Sequence, residues 1–250
     1  MSPTHIYRTQ AIILRVREFG ETDLMVMFFT PEKGRLKGVA KSGRKSRTRF
    51  INCFDSFSCV ELEIGFKKGR DIHFLHSGKL INALPGLRSD FTNLSRASYM
   101  VELTEHLFPW GVAEERMFGL LKDAFQLLEQ GELAERIPIL FEAKAMTIGG
   151  FGINLGECCG CGRDYRGEGR AVFKREKGAI ACMKCHQESA LSPCLSPESV
   201  NLIKRIQSEP ISKLIEIRLT EEMIREIKPV FKLHREYRLE KRLRTSKYVE

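Results

Sequence analysis

The chain has 250 residues, 42% hydrophobic and 29% charged, a composition that suits a globular protein with room for one large core or two to three small ones. No apolar run approaches the roughly 18–20 residues of a membrane span, and Met1-Ser2-Pro3-Thr4-His5 opens no charged-then-apolar leader, so no membrane association and a cytoplasmic location are expected. The formal net charge is +9, carried as +7 over residues 1–80, −4 over 81–154 and +6 over 155–250. Two basic ends around an acidic middle point to a polyanionic partner, although a high isoelectric point alone is also common in proteins with none.

The first eighty residues read as strands. Ile12, Leu14 and Val16 alternate with Ile13, Arg15 and Arg17, and Leu24–Phe29 is an apolar run ended by Thr30-Pro31-Glu32-Lys33-Gly34. Arg35–Lys41 alternates more weakly, Phe57–Ile64 places Val60, Leu62 and Ile64 opposite Glu61 and Glu63, and Ile72–His76 completes five strands. Five short strands with no helical period between them predict a small barrel of the OB-fold type, and periodicity alone equally allows an SH3-like barrel. After Leu84-Pro85-Gly86 the period changes. Met117, Leu120, Leu121, Ala124, Leu127 and Leu128 recur at helical spacing, with helices read over 91–108 and 136–148 on either side. Ser196-Pro197-Glu198 opens a further helix as N-cap, first-turn proline and first-turn acid. A last helix is expected from about Thr220 towards Arg244, kinked or divided at Pro229.

Of the eight cysteines, Cys158-x2-Cys161, then 20 residues, then Cys182-x2-Cys185 has the spacing of a four-thiolate zinc site. A closed four-sulfur set leaves no open position for substrate, so one structural Zn²⁺ is expected. Cys159, inside the first pair, and His186, directly after the second, are alternative ligands at the level of spacing. Cys53, Cys59 and Cys194 read as core or incidental thiols.

Residues 33–49 carry eight Lys or Arg and no acid. Such density rests best against phosphates, and the Ser42–Arg49 part reads as a mobile loop between strands. The candidate nucleic-acid-binding residues are Arg35, Lys37, Lys41, Arg44, Lys45, Arg47, Arg49, Lys67, Lys68 and Arg70. Phe50 and Phe66 are the candidate stacking rings, since the other nearby phenylalanines read as core. Gly38-x4-Gly43 suggests a phosphate loop, but Arg44 stands where lysine must follow the second glycine and no helix is expected there. No catalytic signature is present, Glu61 and Glu63 read as a solvated strand face, and His73 and His76 as packing or surface residues, so no enzyme activity is expected. Lys228, Lys232, Arg235, Arg238 and Arg242 recur at helical spacing and form a possible second basic surface, or else an ordinary solvated face.

Three stretches together resemble the RecO family of bacterial recombination mediators: Ala11–Arg15 with Gly20–Leu24 and Phe29–Gly34, then Val39–Lys45, then Leu155-x2-Cys158-x2-Cys161-Gly162 with Cys182-x2-Cys185. Leu243–Tyr248 is similar to the family's end, and Cys159 is the one oddity. The resemblance implies a multidomain α+β protein: an N-terminal five-stranded OB-fold barrel (1–80), an α-helical domain in two parts (81–154 and 191–250) and a zinc-knuckle module inserted between them (155–190). It also implies binding of single- and double-stranded DNA near the nucleoid, annealing of complementary strands, and cooperation with RecR. Contact with the acidic C-terminal tail of the single-stranded-DNA-binding protein would then assist RecA indirectly. The rival readings are an RNA-binding OB-fold protein, a zinc-containing nuclease, and a transcription factor; residues 155–190 offer that last reading no recognition helix.

Overall fold

The computed structural model describes residues 5–66, 69–131, 134–214, 216–217 and 219–249, with the side chains of His5 and Phe66 left aside. The chain divides into two compact units, Met1–Glu132 and Leu133–Glu250.

In the first unit, β1 (His5–Phe19), β2 (Asp23–Thr30), β3 (Gly34–Ala40), β4 (Cys59–Phe66) and β5 (Ile72–Asn82) close a barrel in the order β1-β2-β3-β5-β4. All pairings are antiparallel except β3 with β5, which run parallel. This is the expected five-stranded OB-type barrel. Its core is filled from alternate positions of each strand: Ala11 and Ile13, Val26 and Phe28, Leu36 and Ala40, Val60, Leu62 and Ile64, and Leu75. A register shift between Ile13 and Arg15 breaks the alternation of β1. Ile12 and Leu14 are buried as fully as Ile13, because helices cover the outside of the barrel here. Phe57 meets Phe125 edge-on at 5.4 Å, and Phe29 meets Phe108 at 6.1 Å.

The covering helices are the short α1 (Gly86–Ser89), α2 (Phe91–Leu107) and α3 (Glu115–Gln130). Asp90 caps α2 by accepting from the backbone N–H groups of Thr92 and Asn93, and Gly131 ends α3 in the left-handed conformation. Helix α2 is tied to β1 by Arg15, whose guanidinium donates to both carboxylate oxygens of Glu105 at 2.9 and 3.0 Å.

The second unit holds α4 (Ile137–Ile148), a four-stranded sheet, and three further helices, α5 (Pro197–Ser208), α6 (Ile211–Leu214) and α7 (Glu221–Leu239). The sheet runs β6-β8-β7-β9, with β6 (Asn154–Cys158), β7 (Ala171–Lys174), β8 (Ala179–Cys182) and β9 (Cys194–Leu195). Phe173 and Ile180, register partners on one face, are buried, as are Val172 and Ala181 on the other, and the Phe173 ring stands edge-on to His234 of α7 at 5.7 Å. His234 donates through Nε2 to the Phe151 carbonyl at 2.6 Å. Ser196 caps α5 as expected, its Oγ accepting from Ser199 N at 3.2 Å. Glu226 gathers this corner by accepting from Ser196 N, Ser196 Oγ and Ser199 Oγ at 2.6–2.8 Å.

Helix α7 is not divided at Pro229, and it ends at Leu239, short of Arg244, where Glu240 takes a positive φ of 50°. The residue whose carbonyl the proline ring crowds is Arg225, which is exposed and near the helix start, where the missing bond is tolerated.

Candidate metal centre and nucleic-acid interface

The first knuckle grows out of β6 and the second out of β8, which β6 joins in parallel. This pairing carries the two Cys-x-x-Cys turns to one place. The Sγ atoms of Cys158, Cys161, Cys182 and Cys185 lie within 4.8 Å of one another. A tetrahedral ion with metal–sulfur bonds of about 2.3 Å holds its sulfurs about 3.8 Å apart, so the set needs only a slight contraction to close on a metal. The backbone is arranged for thiolates: Cys158 Sγ accepts from Gly160 N at 3.4 Å and from Cys182 N at 3.2 Å. Burial raises the Cys158 thiol, but N–H groups of Cys182, Cys161 and Gly160 outweigh it and bring it down to about 6. Hydrogen bonding to the sulfurs of Cys182, Cys161 and Cys158 pushes the Cys185 thiol up to about 12. Gly160 is needed where it stands, since a Cβ would come within 2.9 Å of Cys185 Cβ. The cluster can therefore hold a metal ion, and four soft sulfurs suit Zn²⁺. Cys159 and His186 are outside the converged set. Cys159 N donates to the Ile180 carbonyl, and the His186 ring engages Lys174 and the Cys185 carbonyl. Cys53, Cys59 and Cys194 are buried.

The second site is the outer face of β2, β3 and β5. Register rows Met25–Val39–Phe74 and Met27–Lys37–Ile72 run across it without a carboxylate. Lys41 continues the same face, its ammonium 5.4 Å from the centre of the exposed Phe74 ring. The stretch after Gly43 is a single 3-10 turn, Gly43–Lys45, with no α-helix to aim at a phosphate.

The basic loop is bound down at several points. Ser42 N donates to Asp23 Oδ1 at 2.7 Å and Arg44 N to the Thr22 carbonyl at 3.1 Å. The Arg44 side chain pairs with Glu18 at 3.1 Å, and Arg49 Nη2 donates to the Lys41 carbonyl at 2.6 Å. Lys41, Arg44, Lys45, Arg47, Arg49 and Arg70 are exposed and Lys37 is half-buried. Lys67, Lys68 and the Phe66 side chain lie outside the described residues.

Four residues stand elsewhere than the sequence suggests. Arg35 is buried: its Nη1 donates to the carbonyl of Glu105 and, at 3.0 Å, to that of Phe108, clamping the C-terminal carbonyls of α2. Phe50 belongs to the barrel core, beside Phe54 at 4.9 Å, while Phe74, read as core, faces outward. Arg235 is buried with 2% exposure and donates to both oxygens of Glu142 at 2.9 and 3.0 Å. The expected second basic surface is thus reduced to Lys228, Lys232, Arg238 and Arg242, and Arg242 lies beyond the end of α7.

Sequence reasoning passed over Trp110, the only tryptophan in the chain. The segment after α2 folds back on β3: Gly111 N donates to the Arg35 carbonyl at 2.9 Å and Trp110 bridges Arg35. Trp110 is 46% exposed, with the Arg35 guanidinium stacked 4.0 Å from its ring centre and the Lys37 ammonium at 5.6 Å. A signal existed in its isolation, Phe108-Pro109-Trp110-Gly111 being a loop composition around a large aromatic.

Residues 1–84 match the family model described as Recombination protein O N terminal, and residues 88–247 the one described as Recombination protein O C terminal. Among similar proteins, the DNA repair protein RecO of Syntrophus aciditrophicus is 28% identical, over 100% of this chain and 97% of its own. That of Geobacter metallireducens is 30% identical over 79% of each, and that of Syntrophotalea carbinolica 31% identical over 71% of this chain and 68% of its own. Because the two models take in nearly every residue from the first strand of the barrel to the last turn after α7, the chain belongs to the RecO family of DNA repair proteins.

Proposed function

We propose that this chain handles DNA strands without changing a covalent bond. It binds single- and double-stranded DNA, anneals complementary strands and, with RecR, helps load RecA onto DNA coated by the single-stranded-DNA-binding protein, whose acidic C-terminal tail it contacts. One observation supports this reading most: Lys37 beside exposed Ile72, and Lys41 beside exposed Phe74, share an outer barrel face whose central rows hold no carboxylate. Cations neutralise the phosphates and release counterions, while the ring offers a surface on which a base stacks irrespective of its identity. Two strands that repel one another approach once each is neutralised, so annealing needs no catalytic group.

In this reading residues 1–80 are the nucleic-acid-binding domain, 81–154 and 191–250 form a helical domain, and 155–190 is a module braced by one Zn²⁺ on Cys158, Cys161, Cys182 and Cys185. The ion, when bound, neutralises thiolates that otherwise repel, and cross-links β6 to β8. The exposed Lys41, Lys45 and Arg47 track a backbone, and the cations near the end of α7 meet a second strand or an acidic protein tail. A nuclease is disfavoured, because the only group of metal-binding side chains among the described residues is the cysteine cluster. The test is annealing of complementary oligonucleotides coated with the single-strand-binding protein, with and without its acidic tail. Acceleration that depends on the tail supports the reading, whereas no acceleration, or Mg²⁺-dependent cleavage of the strands, overturns it.

A further inference from the structure

We infer that Trp110 is the platform of a subsite for one unpaired nucleobase, and that this subsite makes the first unit prefer single strands to duplex. The inference rests on the DNA-binding reading above and assigns it a place.

Trp110 stands at the end of the β3 face, beyond Lys37, and forms one wall of a cavity of about 360 Å³. That volume is at the small end of the roughly 300–1,000 Å³ of small-ligand sites, so it suits one base rather than a base pair. The other walls include Arg35, Lys37 and Arg70, with Glu32 and Asp71 as the acidic members. The ring is not a filler of the core. It keeps 46% exposure while a guanidinium lies on it, an arrangement that presents an aromatic surface to solvent and holds it still. Rigidity comes from below: Arg35 donates to two carbonyls at the end of α2, and Gly111 N bonds back to Arg35.

Arg35 also has something left to give. Its Nε–H is buried and has no acceptor among the described residues. A cationic donor of this kind beside a stacking ring matches the carbonyl or ring nitrogen of a base, or a phosphate oxygen. The exposed Arg70 and half-buried Lys37 stand where the backbone of that nucleotide would pass. Glu32 and Asp71 offset part of this charge, which keeps the pocket from being a plain phosphate trap. A paired base has its faces covered by its neighbours and cannot enter, so the subsite empties when a duplex forms. Annealing then weakens the protein's hold on its own product.

Because Trp110 is the only tryptophan, the emission of the unaltered full-length protein reports this subsite alone. The protein is titrated with a mixed-sequence single-stranded oligonucleotide and, separately, with a blunt hairpin duplex of equal charge, at one fixed salt concentration. Strong quenching by the single strand and little by the duplex is expected. Trp110→Ala should weaken single-strand binding by about 5- to 150-fold, the range for one stacked base, and duplex binding by no more than about twofold. Trp110→Phe should restore most of the loss, which a merely folded-state role for the indole would not predict. Unchanged emission at saturation, or equal losses for both DNA forms, overturns the subsite while leaving salt-dependent DNA binding intact. Absence of binding to either DNA form overturns the subsite together with the DNA-handling reading.

Discussion

Replacing Gly34 with alanine should dislodge the segment that carries Trp110. Gly34 begins β3 with φ +60°, and a Cβ there would overlap the Val112 carbonyl oxygen and sit 2.7 Å from its carbon. Ordinary contact begins at 3.4 Å and the oxygen is only 1.8 Å away, so the 108–112 segment has to withdraw by about 1.5 Å and the bond from Gly111 N to the Arg35 carbonyl is broken. The left-handed backbone costs an L-residue about 1–2 kcal/mol and the broken bond about 0.5–1.5. With the added misfit the loss is on the order of 2–4 kcal/mol, or roughly 7–15 °C for a unit of this size. Thermal unfolding followed by Trp110 emission reads both stability and local environment, and acrylamide quenching reads exposure of the ring. Gly20→Ala is the control, since Gly20 also has positive φ, +66°, but nothing within 4 Å of its added Cβ. It should show the strain cost alone and no change in emission. If Gly34→Ala melts within about 2 °C of Gly20→Ala with an unaltered spectrum, the close approach of the segment to β3 is not what holds Trp110.

Metal analysis of gently purified protein should find one zinc per chain, and Cys182→Ser or Cys185→Ser should abolish it and destabilise the second unit; a metal-free protein with the same melting curve would remove zinc from the fold. Reversal of Arg44, Lys45 and Arg47 to glutamate should weaken DNA binding and flatten its salt dependence, by about 0.7 in log–log slope for each single-strand phosphate that is no longer neutralised. Lys45 and Arg47 should account for most of this, because Arg44 is already paired with Glu18, and a salt titration superimposable on that of the unaltered chain would take the loop out of the interface. The His73 pKa is lowered by burial, then by Lys33, with Asp71 opposing. The folded barrel therefore favours neutral His73, whose contribution is complete above the unfolded value of about 6.5 and is lost as pH falls below it. Melting of the first unit, followed through Trp110 between pH 7.5 and 5, should decline over that window, less steeply in His73→Gln; equal slopes would remove His73 from the acid response.

The barrel was legible because its alternation is local. Val60, Leu62 and Ile64 against Glu61 and Glu63 can only be a half-buried strand, and the turn at Pro31–Gly34 bounds the next one. The cysteine pairs were legible for a similar reason, as two cysteines with two residues between them can turn both sulfurs towards one ion. The end of α7 was harder. A proline reads as a break, but whether it breaks depends on which carbonyl it crowds and whether water can reach it.

What stayed hidden was the fate of particular cations and rings. Lys37, Lys41, Arg35 and Arg235 are indistinguishable as charges in a one-dimensional text. Arg235 turns inward because Glu142, ninety-three residues away, offers a bidentate partner inside the second unit. Arg35 turns towards the end of α2 because helix carbonyls there need donors. Phe50 and Phe74 trade their expected places for the same kind of reason, one falling inside the barrel and the other on its surface. Strand periodicity and knuckle spacing are written residue by residue, so the sequence alone determined the barrel and the four cysteines that come together. Only the tertiary structure decided which charges meet solvent and that a lone tryptophan, brought by a loop between helices, stands beside Arg35 and Lys37 of β3, because burial and pairing are properties of distant segments meeting in space.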